Sequence, residues 1–326
     1  LKLTIAVSHY DHVIDLLIGQ VRVEGAKLTY LDLPLHDIFL RAIDFGDFDI
    51  AEMSFAKYVS MRSQGDDRLI ALPVFPARVA RHSSIYVRRG GPIKTPADLA
   101  GRRVGVPEWA QTAAVYTRGM LADDYGVDLA SIAWFQAGQD EAGRGEKVAL
   151  ALPKGLSVTP VPDRSLSELL VAGDLDAVLA ARPIPAYRNK HPDICRLFEN
   201  FAEVEKDYVR RTKIFPIMHT IVVRKALLDE APWLAANLFT AFEEAKRRSI
   251  ARVSHEGVPM VPIPWALAAV REAKSVLGDD YFPYGVAANK PTLDAFLRWA
   301  YEQGVCHRHL AAEDLFPPQT QISVKI

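Results

Sequence analysis

The 326-residue chain is short of cysteine, of charge imbalance and of long apolar runs. Its two cysteines, Cys195 and Cys306, lie too far apart in sequence to build a disulfide framework or a CxxC metal half-site, and they slightly favour a reducing compartment. Basic residues number 39 against 40 acidic ones, with no long run of either sign. Neither a nucleic-acid groove nor an anionic-membrane patch is therefore expected, and any preference for anions has to be local. No apolar stretch nears the roughly 20 residues of a membrane-spanning helix. The opening run Leu1 to Val7 reads as a strand and not as a signal peptide, so the expected location is cytoplasmic. GxSxG, P-loop, GxGxxG and paired CxxC motifs are missing, which removes the usual signals of Ser/His/Asp hydrolysis and nucleotide chemistry. HYDH at His9 to His12 and CHRH at Cys306 to His309 offer close-set ligands without a matching pair, and no metal site is expected.

What is present is regular alternation of β-rich runs with amphipathic helical segments, the pattern of an open α/β sheet. Leu3 to Val7, Leu28 to Leu33, Phe48 to Glu52 and Leu69 to Phe75 read as strands, and Leu35 to Phe45 and Phe55 to Ser63 as helices, with Ser54 placed to cap the latter. His82 to Arg88 reads as a strand running into the turn Gly90-Gly91-Pro92. A fresh unit follows: a helical turn at Pro96 to Leu99, a strand at Arg103 to Val106 and a helix from Thr112 to Asp124. Ile214 to Arg224 reads as a long strand leading into a helix from Pro232 to Arg248. The length exceeds what one hydrophobic core usually serves. The predicted organisation is a discontinuous lobe one, residues 1–88 and 218–326, and an inserted lobe two, residues 89–217. Two hinge crossings join them around a cleft for a small anion.

GRRVGVP after a PADL turn resembles the second-lobe start of type II periplasmic-binding-protein folds, which implies that two-lobed α/β architecture. A longer ordered set is more specific: FDIAEMS (48–54), RHSSIYV (81–87), TAAVYTRGML (112–121), GRGEK (143–147), FPIMH (215–219), PYG (283–285) and EQGVCHRHL (302–310). In that order they resemble the 4,5-dihydroxyphthalate decarboxylase family, from Lys2 to about Phe316. The chain departs from the family pattern at Val79-Ala80 and at Tyr281-Phe282, both of which could reshape the pocket. The resemblance implies a cofactor-independent carboxy-lyase acting on a hydroxylated aromatic dicarboxylate, with a small aromatic carboxylate as its partner. A homo-oligomer is left open. The competing reading is a non-catalytic solute-binding protein, since fold alone does not separate receptor from enzyme.

Such a reaction needs a proton donor and groups that hold carboxylates. His82 and His219 lie on the two predicted crossings and are the acid/base candidates, the alternative for each being a structural histidine tying the hinge. Arg81 adjoins His82 and alternates with it across the predicted strand, so one of the two is structural. Arg144 and Arg182 could clamp a carboxylate or form ordinary ion pairs. Gln111 and Thr112 open a helix whose backbone N–H groups suit an anion, and Ser54 is placed similarly in lobe one. Tyr10 could stack on or hydrogen-bond a phenol, Glu52 could be a buried acid, and Phe215, Trp109 and Tyr284 could form an aromatic wall or simply core.

Overall fold

The structure is a computed structural model and describes residues 1–321. The chain opens with strand β1 (Lys2–Ala6), helix α1 (Asp11–Leu17), β2 (Lys27–Tyr30), α2 (Leu35–Asp44), β3 (Ile50–Ser54), α3 (Phe55–Ser63) and β4 (Leu69–Leu72). It then crosses to β5 (Ile85–Arg88), β6 (Arg103–Val106), α4 (Thr112–Tyr125), β7 (Ala133–Gln136), β8 (Val158–Pro160), α5 (Leu166–Ala172), β9 (Ala177–Leu179), α6 (Pro185–Arg188), β10 (Ile194–Arg196) and α7 (Phe201–Thr212). It returns through β11 (His219–Arg224) to α8 (Lys225–Glu230), α9 (Trp233–Val253), α10 (Ala266–Leu277) and α11 (Lys290–Glu302). No helix among the described residues is long and apolar enough to cross a membrane.

The strands form two sheets, in the orders β2-β1-β3-β11-β4 and β10-β5-β9-β6-β7-β8. In the first sheet β1 runs parallel to β2 and β3, and β11 lies antiparallel between β3 and β4. In the second, β5 is antiparallel to β9 and β10 while the remaining pairs are parallel. The chain therefore leaves the first sheet after β4. Residues 85–88, assigned from sequence to lobe one, pair within the second sheet. Ile85, Tyr86 and Val87 are all buried, and an unbroken apolar strand fits the middle of either sheet, so its pattern does not say which one it joins.

The two crossings run side by side. Val79 N–H donates to the Pro216 carbonyl at 3.2 Å, Met218 N–H donates to that of Ala77 at 2.8 Å, and Arg78 and Ile217 form an antiparallel bridge. The return crossing is consequently shorter as a strand than Ile214 to Arg224. Helix α7 ends with Lys213 in the left-handed region, and regular pairing in the first sheet begins only at His219. Likewise His82–Ser84 form a turn of 3₁₀ helix before β5.

The C-terminal helices divide their packing. Helix α9 lies on α1 of the first lobe, with Arg252 paired to Asp15 at 2.8 Å, whereas α11 packs on α4 of the second. That contact is close enough to require Gly119, because a Cβ there would sit 2.1 Å from the Trp299 indole. The C-terminal third thus covers both lobes, not lobe one alone.

Candidate active site

Strand β3 is buried along its whole length, yet its third residue is an acid. Glu52 is 0% exposed. A carboxylate removed from water must be hydrogen-bonded or paired, and Glu52 has three partners from two places in the chain. The Tyr10 hydroxyl donates to Oε1 at 2.7 Å, the Ser8 N–H donates to Oε2 at 2.9 Å, and His219 Nδ1 lies 2.6 Å from Oε1. Burial alone would push the Glu52 carboxyl up; the hydrogen bond and charge of His219, with Tyr10 and Ser8, hold it below its usual value. Burial, reinforced by Glu52, pushes the Tyr10 phenol well up, so Tyr10 stays a neutral donor.

An ionised carboxylate only accepts, so His219 donates from Nδ1, which fixes the ring's orientation and leaves Nε2 as its free working nitrogen. His219 begins β11 directly opposite Ser54 of β3, and its ring meets Phe39 of α2 edge-on at 5.0 Å. Its side chain is 17% exposed, against none for Glu52. This is a buried acid orienting a partly accessible imidazole.

At the same end of the first sheet the two lobes touch. The Ser54 and Thr112 hydroxyls are 3.0 Å apart, and the Ala56 N–H donates to the Thr112 hydroxyl at 3.0 Å. Ser54 makes no capping bond of its own; the first turn of α3 is capped across the cleft by Thr112, which opens α4. Gln111 flanks Thr112 with its side-chain carbonyl buried and unpartnered among the described residues.

Beyond Phe39 lies a cavity of about 450 Å³ between α2, α3 and the 144–149 segment, lined by His36, Phe39, Lys57, Arg68, Arg144 and Lys147 among others. Buried Glu108 underlies it. Arg144 donates to Glu108 Oε1 at 2.7 Å and Lys57 Nζ lies 3.3 Å from Oε2. Burial lowers the Lys57 ammonium below its usual value, with Glu108 opposing that shift. Lys57 was not singled out from sequence. Its one signal was a lysine in the first turn of a helix, where the positive end of the dipole disfavours it.

Other sequence candidates sit elsewhere. His82 is removed from the cleft: it is fully buried among Tyr125, Phe198 and Tyr208, with both ring nitrogens unpartnered among the described residues. Burial holds it down at about 4. A 3₁₀ turn where a strand was expected rotates its side chain into lobe two. Arg81 is a hinge strut, donating to the Ala181 carbonyl at 2.9 Å and contacting the Met218 sulfur across the two crossings. Arg182 is spent on Asp140 at 2.8 Å on the surface, a site shared with Arg188. Trp109 is core, edge-on to Trp134. Phe215 and Tyr284 belong to an aromatic hub held by Arg78, whose guanidinium lies 4.7 Å over Phe215 and donates to the Phe215 and Pro283 carbonyls. Phe282 of that hub reaches His12 at 4.8 Å, and His12 reaches Tyr10 at 5.3 Å. Among the described residues no three His, Cys, Asp or Glu side chains gather as metal ligands.

Comparison with known proteins bears on the fold and the family. A family model described as "ABC transporter, phosphonate, periplasmic substrate-binding protein" matches residues 34–186. In fold the chain is similar to the periplasmic aliphatic sulphonate binding protein of Escherichia coli, with a TM-score of 0.54 at 14% identity over 97% of both chains. In sequence it is 38% identical to a 4,5-dihydroxyphthalate decarboxylase of Comamonas testosteroni, across 100% of this chain and 99% of the relative. It is 36% identical to one of Pseudomonas putida across 64% of this chain and 82% of the relative. With a relative this similar over its whole length, the chain belongs to the 4,5-dihydroxyphthalate decarboxylase family.

Proposed function

We propose that the protein is a carboxy-lyase of aromatic catabolism that converts 4,5-dihydroxyphthalate, or a close hydroxylated analogue, to the monocarboxylate and carbon dioxide. The observation that carries this reading is the Tyr10–Glu52–His219 relay at the lobe junction, in a chain whose full-length relative bears that activity in its name. Each carboxylate of the substrate has a hydroxyl para to it. A proton delivered to the carboxylate-bearing carbon is accommodated by electrons pushed in from that oxygen. The carbon–carboxylate bond then breaks, its electron pair returns to the ring, and carbon dioxide leaves.

In this reading His219 Nε2 delivers the proton and Glu52 stabilises the charged imidazole that precedes transfer. Tyr10 and the Ser8 N–H keep Glu52 ionised and fixed. Closure of the lobes at Ser54 and Thr112 excludes water, which strengthens each of these interactions. Arg144 faces the cavity and holds a carboxylate.

The test is carbon dioxide release from a panel of hydroxyphthalates incubated with purified protein. Turnover of a member carrying a para hydroxyl, and none of phthalate itself, is expected. Tight binding with every ligand recovered unchanged would overturn the reading in favour of a solute-binding protein.

A further inference from the structure

Lys57 is the feature of the cavity that the reaction above does not use. It is 6% exposed, it sits in the first turn of α3 against the helix dipole, and its ion-pair partner among the described residues is one oxygen of Glu108 at 3.3 Å. That carboxylate is already engaged at its other oxygen by Arg144, and Glu108 Oε2 makes no hydrogen bond among the described residues. One buried negative charge is therefore divided between two cations. Lys147 lines the same cavity and has no ion pair among the described residues; Arg68 is paired to Asp66 at 2.8 Å and Asp44 also lines the wall, so the lining holds four cationic side chains against two acidic ones, with Glu108 beneath it. A buried ammonium held only by a shared, long contact is incompletely compensated.

We infer that Lys57 and Arg144 together form the site for the carboxylate that the substrate retains, and that Lys57 selects a dicarboxylate over a monocarboxylate. The inference rests on the proposed reaction and adds the second half of its substrate. Lys57 comes from the first lobe and Arg144 from the second, so an anion between them joins the lobes. Phe39 lines the cavity on one side and touches the His219 ring on the other. Phe39 therefore stands between the cavity and His219, and a substrate that reaches both displaces its ring, with one carboxylate toward His219 and its neighbour toward Lys57 and Arg144. About 450 Å³ accommodates one such aromatic dicarboxylate.

The experiment is calorimetric binding of phthalate and benzoate, neither of which has the para hydroxyl needed to react, to wild type, Lys57→Met, Lys57→Arg and Glu108→Gln. Wild type is expected to bind phthalate at least about tenfold more tightly than benzoate. Lys57→Met should bring the ratio below about threefold with benzoate affinity little changed, and Lys57→Arg should preserve it. Glu108→Gln, which removes the competing carboxylate, should raise the ratio; it also serves if Lys57→Met fails to fold. No preference in wild type, an equal loss for both ligands in Lys57→Met, or a lowered ratio in Glu108→Gln would overturn the inference. Absence of turnover on hydroxyphthalates with the phthalate preference intact would instead overturn the proposed reaction and leave the subsite standing.

Discussion

At the scale of single residues the two histidines proposed for one role have separate roles, and their substitutions should separate too. His219→Asn keeps a hydrogen bond to Glu52 but cannot deliver a proton; kcat should fall by about 10²- to 10⁴-fold with the melting temperature nearly unchanged. His82→Phe, which suits the aromatic cage, should leave kcat within about threefold and alter stability instead. Because folding lowers the His82 pKa from 6.5 to about 4, the unfolded chain binds the extra proton between those values. Stability contributed by neutral His82 is therefore full above about pH 6.5 and is lost as pH falls toward 4. His82→Phe should flatten that decline, read as urea unfolding at pH 7 and pH 5. His12 is lowered to about 4 as well, by burial, so part of the slope remains in the variant. Glu52 was legible in the sequence as an acid inside an apolar strand. Lys57 was not, because a lysine in an amphipathic segment reads as solvent-facing until the opposite lobe is in place.

At the scale of elements, helix ends do the joining. Thr112 opens α4, but its hydroxyl accepts from the Ala56 N–H of α3, so one side chain both caps a helix and closes the cleft. Thr112→Val removes an acceptor of nearly equal volume. It should cost about 1 kcal/mol, the usual value of a helix cap, and raise KM more than it lowers kcat; small-angle scattering of the ligand-free variant should report a larger radius of gyration. Helices α3 and α4 were placed almost to the residue, since Phe55–Ser63 and Thr112–Tyr125 have helical spacing and Gly126, in the left-handed region, stops the latter. The reach of Thr112 to α3 spans more than 50 residues of chain, and no local pattern encodes it.

At the scale of the whole molecule, net charge is close to zero, whereas the cavity lining gathers four cationic side chains against two acidic ones. Arg144 and Lys147 are solvent-accessible whereas Lys57 and Glu108 are buried, so salt should screen ligand capture but not the internal pair. Raising ionic strength from about 0.05 to about 0.5 M should increase KM for the dicarboxylate severalfold at constant kcat, the Debye length shrinking from roughly 14 to 4 Å over that range. Steady-state kinetics in sodium chloride would check this.

The sequence by itself determined the alternating α/β elements, the two crossings, the family motifs and the acid within β3, because each rests on local periodicity, turn chemistry or motif order. Only the tertiary structure decided that β5 belongs to the second sheet, that His82 turns into an aromatic cage while His219 meets Glu52, and that Lys57 and Arg144 share Glu108 across the cleft. Those outcomes depend on which distant segments pair side by side at the hinge, and that is set by the packing of two cores against each other, which no single stretch of chain contains.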